Sequence, residues 1–247
     1  MERFVNGKKV IQSQQRPGAR FGKRLETITI LLICVPKPRH VRGDGTPYDD
    51  LPEAEAEGKE VIEVANEISD VNVDLVEEPI WTNVVDKLKK GDFQIVHFCG
   101  YAHFDSEDLN KSGLVLLDRD MSAIDVRKYF GRQPPVLYFI NACETAVTAA
   151  ASAADKGEDQ TARNRFDLLS LARAFMESDA YTLGSRWKIN DKAARAFART
   201  FYSDLLRGGQ AVGHAIRNAR AACRGEDEFA WASYVYYGDP RICFRRL

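Results

Sequence analysis

The sequence predicts an α/β fold organised around a mostly parallel sheet. Continuous β-branched and aromatic runs, the mark of strands covered on both faces, alternate along the chain with segments of helical spacing. At 247 residues, 45% of them hydrophobic and 29% charged, the chain is long enough for one large domain with a sizeable core.

Residues 1–25 carry little hydrophobic periodicity and read as a flexible, basic lead-in, with the folded domain expected over 26–247. ETITILLICVP (26–36) reads as a central strand ended by Pro36, followed by a Pro/Gly/Arg-rich loop to residue 50. Val61, Ile62, Ala65 and Ile68 give 51–70 the spacing of a helix. VNVDLVEE (71–78) follows as a strand, 79–91 as a helix closed by Gly91, and FQIVHFCG (93–100) as a third strand that gives way to a turn at Gly100. SGLVLLD (112–118) reads as a short hairpin strand. Residues 122–131 read as a helix with Ser122 at its N-cap, and PPVLYFINAC (134–143) as the next buried strand.

Residues 146–167 lack large apolar side chains before Phe166 and read as a mobile insertion. Beyond it the pattern predicts a helix (168–180), a strand (181–189), a helix capped by Asn190 or Asp191 (190–209), a further helix (210–225) and a terminal strand in RICFRRL.

Composition excludes several function classes. A formal net charge of −1, from 35 basic against 36 acidic residues, supplies no field for nucleic acid or an anionic membrane. No stretch has the length of a membrane span or the character of a secretory signal. Five scattered cysteines without a CxxC pair suit a reducing cytoplasm. Neither GxGxxG nor GxxxxGK occurs, so no cofactor is expected, and a nucleotide-binding or response-regulator-like domain, which element order alone would permit, is disfavoured.

FINACET (139–145) ends an apolar strand on a small residue and then Cys143, which presents a thiol at the carboxyl end of the sheet, where ligands of open α/β folds collect. A nucleophilic thiol needs a base, and histidine is the usual one. Of four histidines, His214 falls in an Ala-rich helix and His40 in a basic loop with no site-like context. His97 lies inside a strand and reads as a structural histidine bonded to a neighbouring loop. His103, in VHFCGYAHFD (96–105), falls on the same sheet edge as Cys143. His97, Cys99 and His103 alternate along one strand but name no fourth ligand, so no metal is expected.

VHFCGYAHFD, SGLVLLD, FINACET, LARAF, GSRWKIND, FYSDLLRGG, AIRNAR and WASYVYYGDP occur here in the order seen in CHAT domains, which are caspase-like peptidases related to separase. The resemblance covers roughly 26–243. It implies a caspase-like three-layer sandwich with a mostly parallel central sheet flanked by helices, and cysteine endopeptidase chemistry without a cofactor. Cys143 is then the nucleophile, and the backbone N–H groups of Cys143 and of the Gly100 turn bind the oxyanion. The family reads HFxGH at the end of its third strand, with the second histidine as base, whereas this chain has Tyr101 there. Either the base has moved to His103, about 6.6 Å further along an extended chain, or it is missing. No third triad residue is identifiable. Asn141 stands where arginine- or lysine-specific relatives carry an acidic residue, so a basic cleavage site is not favoured, although Glu144 and Asp118 can supply a carboxylate. Arg186 and Trp187 are further candidates for substrate contact, with core packing the favoured reading of Trp187.

The resemblance implies a protein substrate and a separate activating or sensor protein, in a prokaryotic defence or signalling system, with no direct nucleic-acid or membrane partner. The competing reading is an inactive caspase-like module that binds a protein partner, its cysteine kept and its base lost at Tyr101.

Overall fold

The β-branched run expected at the centre of the sheet is an interior strand, one in from the edge. The computed structural model describes residues 27–103, 108, 110–129, 134–144, 180–185, 189–227 and 229–244, together with a two-stranded hairpin of β1 (Arg3–Val5) and β2 (Lys8–Val10). The remainder of the lead-in, the 146–167 insertion, the 168–180 helix, Arg186 and Trp187 lie outside the described residues.

Strand β3 (Ile28–Cys34) is followed by α1 (Pro52–Asn66), β4 (Val71–Leu75), α2 (Trp81–Lys90) and β5 (Ile95–His103). A hairpin of β6 (Gly113–Val115) and β7 (Asp120–Ser122) leads into α3 (Ala123–Tyr129) and β8 (Leu137–Glu144). Then come β9 (Tyr181–Ser185), α4 (Asp191–Tyr202) with a π turn at Ser203–Arg207, α5 (Val212–Arg224), the short α6 (Ala230–Ser233) and β10 (Tyr234–Tyr237). The main sheet runs β10-β9-β8-β5-β3-β4, with the β6–β7 hairpin attached to the end of β5. All neighbours along that path are parallel except β10, which runs antiparallel to β9.

The sheet is buried on both sides, as its continuous apolar strands require. Ile28 and Ile30 of β3, with Leu137 and Phe139 of β8, pack with Val61 and Val64 of α1 and Phe197 and Phe201 of α4. Leu31, Ile33, Tyr138 and Ile140 pack the other way against Val84, Val85 and Leu88 of α2 and Val126 of α3. This alternation produces a three-layer α/β architecture with a mostly parallel sheet, as the sequence predicts. Phe139 is the pivot of the first layer, its ring 5.5 Å from Phe201, 5.8 Å from Phe197 and 6.1 Å from Tyr234.

Helix ends follow local chemistry. Asn190 Oδ1 accepts the Ala193 N–H at 2.9 Å and so is the cap of α4. Ser122 Oγ accepts from the Asp125 N–H, and the Asp125 carboxylate accepts in return from the Ser122 N–H, each at 3.1 Å, a reciprocal cap for α3. Gly91, at φ 68°, ends α2 in a conformation that favours glycine.

Two expectations need correction. Among the described residues the final strand is Tyr234–Tyr237, and the described part of RICFRRL, Arg241–Phe244, forms no strand: its one ladder contact is a bridge from Cys243 to Ala211. The third strand also does not stop at Gly100. It runs on to His103, because β8 pairs with it as far as Ala102 while β6 pairs with Tyr101–His103 from the other side. Backbone groups there have ladder partners on both flanks, so extended structure is favoured over a turn.

Candidate active site

After β3 the chain goes out to β4 at the sheet edge and then returns to β5 on the other side of β3. The carboxyl ends of β3 and β5 are therefore a topological switch point, where connecting segments diverge and leave a crevice. The loop after β3 folds over this edge. It is closed by Leu51 N–H donating to Pro36 O at 2.7 Å and tied to the hairpin by Arg39 N–H donating to Leu117 O at 2.7 Å. Its Tyr48 ring lies 5.2 Å from the Tyr101 ring, and the Arg42 guanidinium sits 4.7 Å above Tyr48. Burial, with the nearby Asp120 charge adding to it, pushes the Tyr48 hydroxyl up to about 12.

Register places the sequence-predicted residues. Cys143 pairs with Tyr101 across the β5–β8 ladder, and His103 lies two residues further along β5. The side chains of Cys143 and Glu144 lie outside the described residues. Tyr101 is 8% exposed, and its hydroxyl donates to Asp49 O at 3.2 Å. Gly100 is opposite Ala142 inside the strand, so the expected turn that would present its N–H does not exist. A Cβ on Gly100 would lie 2.9 Å from the Phe98 ring, which accounts for glycine there by packing.

The hairpin supplies a residue that sequence reading did not single out. Asp120 begins β7 opposite Val115, which is itself opposite Tyr101. Its Oδ2 lies 3.0 Å from His103 Nδ1 and its Oδ1 lies 2.9 Å from His40 Nε2. One carboxylate therefore bridges two imidazoles, all three groups part-buried. Burial would raise the Asp120 carboxyl, but the contacts with His103 and His40 outweigh it and hold it below the usual carboxylate value. Gly113 makes this packing possible, since a Cβ there would lie 2.4 Å from the Met121 carbonyl oxygen. His40, set aside in the sequence as a loop histidine, belongs to this cluster. His214 is exposed on α5, away from it.

A second polar group lies deeper under α1. His97 is fully buried, its Nδ1 2.8 Å from the Tyr202 hydroxyl of α4 and its Nε2 3.1 Å from Glu57 Oε1 of α1. Its partners are thus two helices and not a neighbouring loop. Burial, with the Glu57 charge adding, pushes the Tyr202 hydroxyl well up, so it stays protonated. Asn141 Nδ2 donates to Glu57 Oε2 at 2.7 Å, which ties the β8 strand to α1. Asp118, considered in the sequence as a pocket carboxylate, instead accepts the Trp81 N–H at 2.8 Å at the start of α2. Cys99 and Cys34 lie side by side on β5 and β3, their sulfurs 3.3 Å apart. Burial holds the Cys99 thiol well above its ordinary value, as expected of a structural thiol.

The CHAT domain family model matches residues 7–239. The chain belongs to the CHAT family. No curated protein matches. Among solved structures, the CHAT chain is similar to the Arg-specific cysteine proteinase gingipain R, with a TM-score of 0.53 and 12% identity over 89% of this chain and 48% of that one. It thus spans about half the length of the gingipain chain, and at this identity the likeness is one of fold. The separase of the Saccharomyces cerevisiae separase–securin complex aligns at a TM-score of 0.47 and 14% identity, over 90% of this chain and 13% of that one. A Geobacter sulfurreducens protein aligns at 0.48 and 16%, over 90% and 97%. With the family match, the likeness to the gingipain chain makes the fold caspase-like.

Proposed function

We propose that this CHAT domain is a cysteine endopeptidase in which Cys143 is the nucleophile, His103 the base and Asp120 the group that orients the base. The observation that carries this reading is the 3.0 Å contact from His103 Nδ1 to Asp120 at the end of the strand whose ladder opposes Cys143. Nδ1 facing a carboxylate at ion-pair distance, without an aligned hydrogen bond, leaves Nε2 for the thiol, the division of labour that a nucleophile, base and orienter require.

His103 takes the Cys143 thiol proton, the thiolate adds to a peptide carbonyl, and His103 returns the proton to the leaving amine as the C–N bond breaks. Water, deprotonated by the same imidazole, then hydrolyses the thioester. The Cys143 N–H serves the oxyanion, and since Gly100 has no turn, a second donor comes from elsewhere. Asn141 supports substrate through its strand, and a basic cleavage-site residue is not favoured because Asn141 replaces a carboxylate. Family resemblance supports a protein substrate in a prokaryotic defence or signalling system, cytoplasmic, with a separate activating or sensor protein.

The competing reading, an inactive module that binds a protein partner, is favoured by one observation: Tyr101 is directly opposite Cys143, where the family base is expected. Proteolysis followed by mass spectrometry, with proteins encoded beside this one as substrates and activators, separates the two. Loss of cleavage in Cys143→Ala and His103→Ala, and a fall on the order of 10²–10⁴-fold in Asp120→Asn, supports the relocated base. Cleavage seen only after Tyr101→His, or Cys143 alkylation at the same rate in wild type and His103→Ala, supports the inactive module.

A further inference from the structure

The group beneath α1 has the composition of a metal site. Glu57 Oε1, His97 Nε2 and Cys99 Sγ come from one helix and one strand, and one ligand atom from each lies within 4.8 Å of the others. Glu57 is 3% exposed and His97 not at all. Glu57 Oε1 and His97 Nε2 face each other at 3.1 Å, yet neither makes an aligned hydrogen bond. Two buried polar atoms left in this way cost stability unless something draws on both.

The geometry points to a zinc-binding site formed by Glu57, His97 and Cys99, with Cys34, whose sulfur lies outside that group but 3.3 Å from Cys99 Sγ, turning in as the fourth ligand. Carboxylate, imidazole and thiolate together are the donor set that Zn²⁺ accepts, with tetrahedral bonds of about 2.0–2.3 Å that place ligand atoms about 3.3–3.8 Å apart. The sulfurs of Cys34 and Cys99, 3.3 Å apart, are close to that spacing. Room for Cys34 is provided by Gly58, where a Cβ would lie 2.4 Å from its Sγ. Outer partners are also in place. Tyr202 holds His97 Nδ1, fixing the ring with Nε2 toward the group, and Asn141 holds the second oxygen of Glu57. The sequence reading considered His97, Cys99 and His103 together and expected no metal; the fold places His103 beside Asp120 and brings Glu57 to the other two. The bound ion replaces the thiol protons and fastens α1 to the two central strands, one residue pair from the nucleophile's own strand.

The site is independent of whether the domain cleaves anything, and it is tested apart from activity. The full chain carrying Cys143→Ala, which removes the candidate nucleophile as a competing sulfur ligand, is titrated with Co²⁺ and then with Zn²⁺. The expected result is a near-ultraviolet sulfur-to-cobalt band that saturates at one equivalent and is abolished by Zn²⁺, together with one zinc per chain after dialysis. Tyr202→Phe keeps the ring but loses the outer partner, and is expected to weaken binding by about 10–100-fold. Replacing Cys34 and Cys99 together by Ser removes the band if the variant folds; if it does not, the Tyr202→Phe shift decides. A Co²⁺ spectrum without the sulfur band, zinc at background, or unchanged affinity in Tyr202→Phe overturns the proposal.

Discussion

Asp120 holds its two imidazoles with a single carboxylate, and its titration fixes the sign of one pH dependence. Its folded value lies below the usual carboxylate value of about 3.9, so its share of stability is fully present above that pH and is lost as pH falls through the lower folded value. Urea unfolding of wild type and Asp120→Asn from pH 5 to pH 2 should show an acid-side loss in the wild type that the variant lacks. If the two curves run parallel, the carboxylate is not held as described. None of this was legible from residue order. His40 and Asp120 are 80 positions apart, and Asn141 and Glu57 are 84 apart. Only a strand register and a folded-over loop bring such residues together. Cys143 stood out as the candidate nucleophile because a thiol at a strand end has a local signature: an apolar run, then a small residue, then the thiol.

Elements were read well where periodicity and burial agree. The runs that became β3, β5 and β8 are mostly apolar and lie inside the sheet, and Asn190 announces α4 by its capping chemistry alone. Short strands were harder. β7 is three residues long, and β10 is a run of aromatics and valine that joins the sheet through contact with β9 and not by any alternation of its own. The strength of an element is set by what it packs against, and Phe139 shows this. Its ring meets α4, β10 and His97 at once, so Phe139→Ala should cost about 3–5 kcal/mol in chemical denaturation. A loss below about 1 kcal/mol would mean that the first layer is not centred on it.

For the molecule as a whole, the class of fold was legible because it rests on the order of elements and on strands buried on both faces. The path of the sheet was not, since local pattern does not say that the chain crosses from β4 back over β3 to β5. That crossing creates the crevice, and it also explains why the residue that resembles a misplaced histidine is not on a loop. β5 is flanked by β8 up to Ala102 and by β6 from Tyr101 to His103. Amide hydrogen exchange at Ala102 should therefore be as slow as at Phe98 in the sheet centre, and exchange at loop-like rates would contradict the extended strand.

A histidine carried in this way stands at the end of a rail, gripped by β6 at its own position and by β8 up to the residue before it. A backbone so placed has little play, and a signal arriving from a partner cannot gain much by tightening it. If the domain has an off state, the slack that distinguishes off from on has to be found on the cysteine's side of the crevice or in how the substrate is delivered. An activator of this protein would then act as a feeder of substrate or a setter of the thiol, working against a histidine that is already in position.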